Sequence, residues 1–286
     1  MSVIYAVVVV YNPNLDEFLA NIAAIKSQVS KVVLCNNSNF DIRLNDEHVI
    51  EFNFGENLGI AKAQSFGMHW AFENGADFIL QMDQDSTPDK SMVEILHKVF
   101  LDLRDKGIKI GLLGPFDFDK RNHESLLNKS GSSNLTVEYV SATLSSGSLI
   151  SKDTYELVGI MNDDLFIDVV DFEYCWRMKD HGFLVGRCPQ AKLAHQLGEG
   201  NKKVFGLISI AVPSPIRHYY AFRNTIFLLG KKNAPLYWQI TSVIKLILKF
   251  CCYRFLFKDG RDRHSFMLQG IVDGFKGKLG RIDSGK

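Results

Sequence analysis

Zinc-ligand spacing, helix-turn-helix signatures and RNP-like motifs are all missing from this chain of 286 residues, and with them the usual grounds for expecting a nucleic-acid partner. Cysteine is scarce: five residues, Cys35, Cys175, Cys188, Cys251 and Cys252, with no C-x-x-C pair. That number is odd and too small for a disulfide framework, so a reducing compartment is expected. The first residues lack the basic n-region of a signal peptide, and the apolar run at 3–10 has strand length, so export is not expected. No stretch reaches the roughly 18 uncharged apolar residues of a spanning helix; the best, 234–244, is cut by Lys245. Internal repeats and low-complexity segments are also absent. With 46% hydrophobic and 23% charged residues, the composition is that of a globular protein.

The net charge of +1 conceals an asymmetry. Residues 1–230 carry 21 basic and 28 acidic side chains, whereas 231–286 carry 12 basic and 4 acidic. A basic, aromatic tail is attracted to nucleic acid or to an anionic membrane surface, and the missing nucleic-acid motifs favour the membrane. The remainder alternates strand and helix, the pattern of an α/β domain with a mostly parallel sheet. Strands are predicted at 3–11, 31–35, 49–54, 78–82 and 110–115. Helices are predicted at 15–28, capped by Asn14, at 60–74, stopped by Gly75, and at 88–107. In the first of these, Leu15, Phe18, Leu19, Ile22 and Ile25 share one face. Beyond a polar loop at 121–134 the rhythm loosens, with strands at 136–140 and 143–150, short strands before Pro189 and His195, and helices at 172–181, 216–229 and 235–257. Two domains are expected: 1–230, whose rhythm changes near 115, and a basic amphipathic membrane-associating tail, 231–286.

Two carboxylates, Asp83 and Asp85, stand just beyond an apolar strand in Asp83-Gln84-Asp85-Ser86. Loops in that position bind ligands in α/β sheets, and paired carboxylates suit a hard divalent cation shared with phosphate oxygens. The same residues before Pro88 also make good turn and capping chemistry. The first strand ends in Tyr11-Asn12-Pro13, without the Gly-rich turn of a P-loop or dinucleotide fold. Phosphate would have to be held by other means, and a metal is the natural substitute.

Tyr11-Asn12-Pro13, then Asn57-Leu58-Gly59-Ile60-Ala61-Lys62-Ala63, then Asp83-Gln84-Asp85-Ser86 resemble the ordered motifs of glycosyltransferase family 2 with a GT-A fold. The Asp-Gln-Asp-Ser form is similar to bacterial rhamnosyltransferases of surface polysaccharide assembly. The segment from Phe166 to Arg177 resembles the family's acidic segment, and the resemblance spans about residues 3–230. It implies an α/β, Rossmann-like GT-A fold with a mixed central sheet and C-terminal amphipathic helices.

Position by position, the resemblance places Tyr11, Asn12 and Pro13 against the nucleoside. Cys35 stands where the family usually has a base-binding Asp, leaving base recognition to Asn36, Asn37 or main chain. Asn57 and Lys62 fall near the nucleotide, where helix capping and a solvated face are the alternatives. Asp83, with Gln84, falls by the ribose or a metal-bound water, and Asp85 is the direct ligand of Mg²⁺ or Mn²⁺. His195 matches a further metal or diphosphate contact, or is structural. Asp171 aligns with the catalytic base; Asp168, one helical turn upstream, is the alternative, and Glu173 is expected to pair with Arg177. Ser146 and Gly147 match a small-residue loop under the sugars. Arg217, Tyr219, Tyr220 and Arg223-Asn224 match an Arg/Tyr-rich segment near the acceptor.

The implied activity is inverting, metal-dependent transfer of L-rhamnose from dTDP-rhamnose to a lipid-linked (polyprenyl diphosphate) glycan in O-antigen or capsule synthesis, peripheral on the cytoplasmic face of the bacterial membrane. A different donor, such as UDP-galactofuranose, UDP-glucose or UDP-N-acetylglucosamine, and a catalytically silent binding module are the alternatives. Asp83, Asp85 and Asp171 together argue against silence. In the tail, Thr241, Ser242, Lys245 and Lys249 form one helical stripe. An interfacial helix and a buried terminal helix both fit, and Arg254, Lys258, Arg261 and Arg263 favour the interface.

Overall fold

A computed structural model describes residues 2–119, 135–195, 201–204, 208–211 and 213–282. Its first half runs β1 (Ile4–Val10), α1 (Leu15–Lys26), β2 (Lys31–Asn36), β3 (Val49–Asn53), α2 (Ile60–Glu73), β4 (Phe78–Asp83), β5 (Thr87–Pro88) and α3 (Met92–Asp105). The second half continues with β6 (Ile110–Asp119), β7 (Glu138–Val140), β8 (Leu149–Ser151), α4 (Lys152–Val158), a 3-10 turn at Asp163–Leu165, α5 (Val170–Asp180) and β9 (Leu184–His195). A hairpin of β10 (Asn201–Val204) and β11 (Ile208–Ala211) precedes α6 (Pro215–Leu228), α7 (Leu236–Leu256) and α8 (Gly260–Lys276). The expected polar loop at 121–134 lies outside the described residues.

The main sheet has the order β3-β2-β1-β4-β8-β6-β9-β5, with β7 also on β9. β3, β2, β1 and β4 are mutually parallel, while β8 runs antiparallel to both β4 and β6. This is the mixed sheet that was expected. β1 is an unbroken apolar run because both its faces are covered. Ile4, Ala6, Val8 and Val10 pack with α1 and α3, and Tyr5, Val7 and Val9 with α2 and α5. In α1 the Asn14 side chain accepts from the Glu17 amide at 3.4 Å, as a cap should. Only Phe18, Ile22 and Ile25 of its expected apolar face are buried; Leu15 and Leu19 are exposed.

Three departures bear on the site. The strand expected at 143–150 shrinks to β8, because Ser148 donates from its hydroxyl to Leu144 O (2.7 Å) and from its amide to Ser145 O (2.9 Å), turning the chain back before it can pair. The short strands before Pro189 and His195 are one strand, β9, with a register shift opposite Pro115/Phe116. Helix α8 was not anticipated, since Gly260, Gly270 and Gly274 weaken its helical signal. Its glycines have a packing purpose: a Cβ on Gly270 would stand 2.5 Å from Tyr219 O, and one on Gly274 2.8 Å from Arg223 O. Helix α8 is therefore packed closely onto α6.

Candidate active site

Parallel β1, β2 and β4 bring their C-terminal ends into register, with Val10 opposite Asn36 and Val9 opposite Asp83. Tyr11, Asn37 and Gln84 consequently emerge side by side, where an open α/β sheet holds its ligand. The loops are tied to one another. The Tyr11 amide donates to Gln84 Oε1 (2.7 Å) and Gln84 Nε2 donates to Tyr11 O (3.3 Å). The Asn12 amide, at φ 45°, donates to Ser38 Oγ (2.8 Å). Asn21 Nδ2 donates to Gln84 O (2.8 Å) and Oδ1 of Asn21 accepts from the Thr87 hydroxyl. Gln84 thus serves as a brace between strand ends, and its two neighbours, Asp83 and Asp85, stand half-buried on either side of it.

Small residues support this turn from below. Ser146 Oγ accepts from the Asp83 amide (3.2 Å) and donates to Ser86 Oγ (2.9 Å). The Gly147 amide donates to Gln81 O (2.7 Å). With φ 78° and an added Cβ only 2.6 Å from Pro115 Cγ, Gly147 is required by backbone and packing. Ser146 and Gly147 therefore buttress the Asp83–Asp85 turn.

Base recognition also shifts. Cys35 is buried against Gly67 of α2, and burial pushes its thiol up to about 12. Asn36 is fully buried and donates to Phe40 O and Asn53 Oδ1, both at 2.7 Å, while its Oδ1 accepts from the Ser38 amide. It has no surface for a ligand, so the expected nucleotide contact at Asn36 is corrected to a structural one. Tyr11 is 50% exposed at the end of β1 and, with exposed Asn12 and half-buried Pro13, remains available. Asn57 is not the cap of α2; that position is Gly59, whose amide donates to Asn57 Oδ1 at 2.9 Å. Lys62 is exposed on α2.

The acidic segment is held in an uncommon backbone conformation. Phe166, Asp168 and Val169 have φ of 63°, 69° and 66°, each costing on the order of 1–3 kcal/mol. Two neighbours on α6 over-determine it. Asn224 Nδ2 lies within 2.9, 2.7 and 2.9 Å of the carbonyls of Leu165, Ile167 and Asp168. Arg223 Nη2 donates to Leu165 O (2.9 Å) and Asp164 O (3.3 Å), and its Nη1 to Gly280 O. Arg223 is wholly buried, and Tyr219, 1% exposed, donates to Asp273 Oδ2 at 2.8 Å. Neither side chain reaches a surface, so their expected acceptor role is corrected to internal bracing. Asn224, expected near the acceptor with Arg223, is likewise fully buried and braces the acidic segment.

Asp168 and Asp171 are now distinguishable. Arg217 holds Asp168 through both Nε (3.1 Å) and Nη2, a bidentate pair that keeps the carboxylate engaged. Asp171 sits in the first turn of α5, where its Oδ1 accepts from the Phe172 amide (3.1 Å). Burial raises its carboxyl from 3.8 to about 6, opposed by those backbone amides and reinforced by the negative charges of Asp83 and Asp168. Glu173 pairs with Arg177 at 2.8 Å, as expected. His195 ends β9 opposite Asp119; its side chain and residues 196–200 lie outside the described residues.

A half-buried carboxyl poised near neutrality, beside two carboxylates at the strand ends, can accept a proton from a hydroxyl and face a cation. No protein-family model matches the chain. Among curated proteins it is 38% identical over 258 residues to the dTDP-rhamnosyl transferase RfbF of Shigella flexneri, covering 85% of each chain. The chain belongs to the family 2-like glycosyltransferases. Solved structures agree on the fold of this glycosyltransferase. Residues 1–349 of Staphylococcus aureus TarS superpose with a TM-score of 0.55 at 12% identity, covering 96% of this chain and 81% of that one. GalNAc-T7, solved with UDP, GalNAc and Mn²⁺, gives 0.56 at 12% identity over 85% of this chain, which spans 54% of the GalNAc-T7 chain. Both are GT-A folds, as is this one.

Proposed function

We propose that this glycosyltransferase transfers L-rhamnose from dTDP-rhamnose, with inversion, to a lipid-linked glycan of bacterial surface polysaccharide at the cytoplasmic face of the membrane. The likeness to the Shigella dTDP-rhamnosyl transferase supports the donor. The observation that carries the mechanism is Asp171, whose carboxyl near 6 is ionised at cytoplasmic pH yet basic enough to accept a proton as an acceptor hydroxyl attacks. Asp168, occupied by Arg217, is the poorer base.

Among the described residues no three His, Cys, Asp or Glu side chains form a closed metal cluster. The pair Asp83 and Asp85 still fits a divalent ion that takes its remaining oxygens from a nucleotide diphosphate, and a cation there would relieve the repulsion that adds to burial in raising Asp171. When bound, Mg²⁺ or Mn²⁺ supplies Lewis-acid stabilisation to the departing diphosphate. Tyr11, Asn12 and Pro13 offer the nucleoside an exposed ring and edge, Asn57 and Lys62 flank the diphosphate side, and Gln84 fixes the spacing between them. His195, at the end of β9 beside β5, completes the proposed metal set.

The membrane contact is the outward face of α7. Leu236, Tyr237, Ile240, Ile244, Ile247, Leu248 and Phe255 are all more than half exposed, and Arg254, Lys258 and Arg261 are exposed with them. Arg263 is not available: it is buried on Asp259 (2.8 and 2.9 Å) and Pro213 O (2.6 Å). Among the described residues no helix is long and apolar enough to cross a membrane, so the contact is one of lying on the surface.

A panel of dTDP-rhamnose, UDP-galactofuranose, UDP-glucose and UDP-N-acetylglucosamine with one lipid-linked acceptor extract tests the donor. Turnover with dTDP-rhamnose exceeding the others is the expected result; preference for a UDP-sugar refutes it. Flotation on anionic vesicles that weakens with salt tests the surface contact.

A further inference from the structure

Helix α7 touches the catalytic layer at both ends. Trp238 stacks edge-on against Trp176 of α5 with centroids 4.6 Å apart, and Tyr253 does the same to His218 of α6 at 5.4 Å. Between these anchors lie Lys245 and Lys249. Trp238, Lys245, Lys249 and Tyr253 are spaced seven, four and four residues apart, so at 100° per residue they share one face of the helix. That face is pinned inward at both ends. Lys249 is therefore turned toward the layer of α5, which carries Asp171, and α6, which carries Arg217, while Lys245 is exposed at the border of that face.

The electrostatics of that layer agree with the geometry. Lys249 is half-buried. Burial lowers its ammonium, and the charge of Asp168 partly restores it against the repulsion of Lys245. Asp168, the carboxylate in reach, is already held by Arg217. Lys249 and Arg217 thus both approach Asp168, and Lys245 stands one turn before Lys249 on the same stripe. His218 senses Lys249 and Arg217: burial, then the charges of Arg263, Lys249 and Arg217, hold its imidazole down to about 4 despite Asp259. Two lysines beside an exposed apolar helix face suit an amphiphile with an anionic head.

We propose that Lys249 and Lys245, with Arg217, bind the diphosphate head of an isoprenoid-linked acceptor, so that α7 rests its outer face in lipid while its inner face draws the head group to Asp171. The inference rests on the lipid-linked acceptor of the proposed function, and assigns its recognition to the segment after residue 230. A diphosphate also belongs to the donor nucleotide, and phosphate to anionic lipids, so the test separates the three.

The full chain is titrated with farnesyl diphosphate as probe, farnesol as the head-less control, dTDP with Mg²⁺, and phosphatidylglycerol vesicles. In the wild type, farnesyl diphosphate should bind at least tenfold more tightly than farnesol. Lys249→Gln and Lys245→Gln should each weaken farnesyl diphosphate binding about tenfold, and Lys249→Arg should retain most of it. Affinity for dTDP and vesicle flotation should stay within twofold. Equal loss of dTDP affinity would assign the lysines to the donor and overturn the proposal, as would equal loss of flotation, which would make them a lipid-surface strip. Unchanged farnesyl diphosphate affinity in both variants would also overturn it. Lys245 is exposed, so its variant decides the matter even if Lys249→Gln melts early. No sugar is transferred in these titrations, so a wrong donor assignment in the panel above leaves their outcome intact, and the reverse holds.

Discussion

Asp171→Asn separates catalysis from stability in opposite directions, and the size of the second effect follows from the site. The Asp171 carboxyl moves from 3.8 to about 6 on folding, so between those values the folded chain binds more protons than the unfolded one. Stability therefore falls as pH rises from about 4 to about 6, and the loss is complete above the folded value. Two units at about 1.4 kcal/mol each amount to about 3 kcal/mol at pH 8. Asparagine keeps the shape and the hydrogen bond from the Phe172 amide without the buried charge. In EDTA at pH 8 the variant should be the more stable, by up to about 3 kcal/mol, or roughly 6 °C in Tm for a chain of this size. At pH 4 the advantage should vanish. Turnover should drop by about 10²–10⁴-fold while dTDP affinity stays within a few-fold. Thermal melts at several pH values, paired with kcat and nucleotide titrations, read all of this. A variant that is no more stable at pH 8 than at pH 4 would refute the buried-charge argument, and near-wild-type turnover would refute the base and direct attention to Asp168.

Asn224→Ala removes a buried amide whose two N–H hydrogens are shared among three loop carbonyls; at about 1 kcal/mol per hydrogen bond, unfolding free energy should fall by about 2 kcal/mol, and kcat should fall with little change in dTDP affinity because the strained acidic segment relaxes. Asp85→Ala should abolish most of the gain in dTDP affinity that Mg²⁺ or Mn²⁺ confers, read by calorimetry with and without EDTA; equal affinity in both conditions for the wild type would remove the metal role. Gly270→Leu, forced against Tyr219 O at 2.5 Å, should separate α8 from α6 and lower Tm markedly, whereas a melt unchanged from wild type would show that 231–286 is energetically independent of the rest.

The alternation of apolar and helical periods by itself determined the first half of the fold. β1, β2 and β4 are near-continuous apolar runs because parallel central strands are covered on both faces, and that covering leaves a mark in sequence. The turn Asp83-Gln84-Asp85-Ser86 was legible for a similar reason, since a carboxylate pair just past a strand end is a local pattern. What lay beyond local pattern was decided in three dimensions. Whether a polar side chain meets ligand or protein depends on which distant segment arrives beside it: Asn36 is consumed by Phe40 and Asn53, Gln84 by Tyr11, Arg223 by Leu165 and Gly280. Asp168 is engaged likewise, because Arg217 comes from a helix 49 residues away in the chain. Helix α8 hid behind its glycines, which weaken a helix in isolation and are favourable only once α6 stands close enough to need them. The inward aim of Lys249 has the same origin: a stripe on a helix is set by sequence, but which way the stripe faces is set by the two aromatic contacts that pin the helix down.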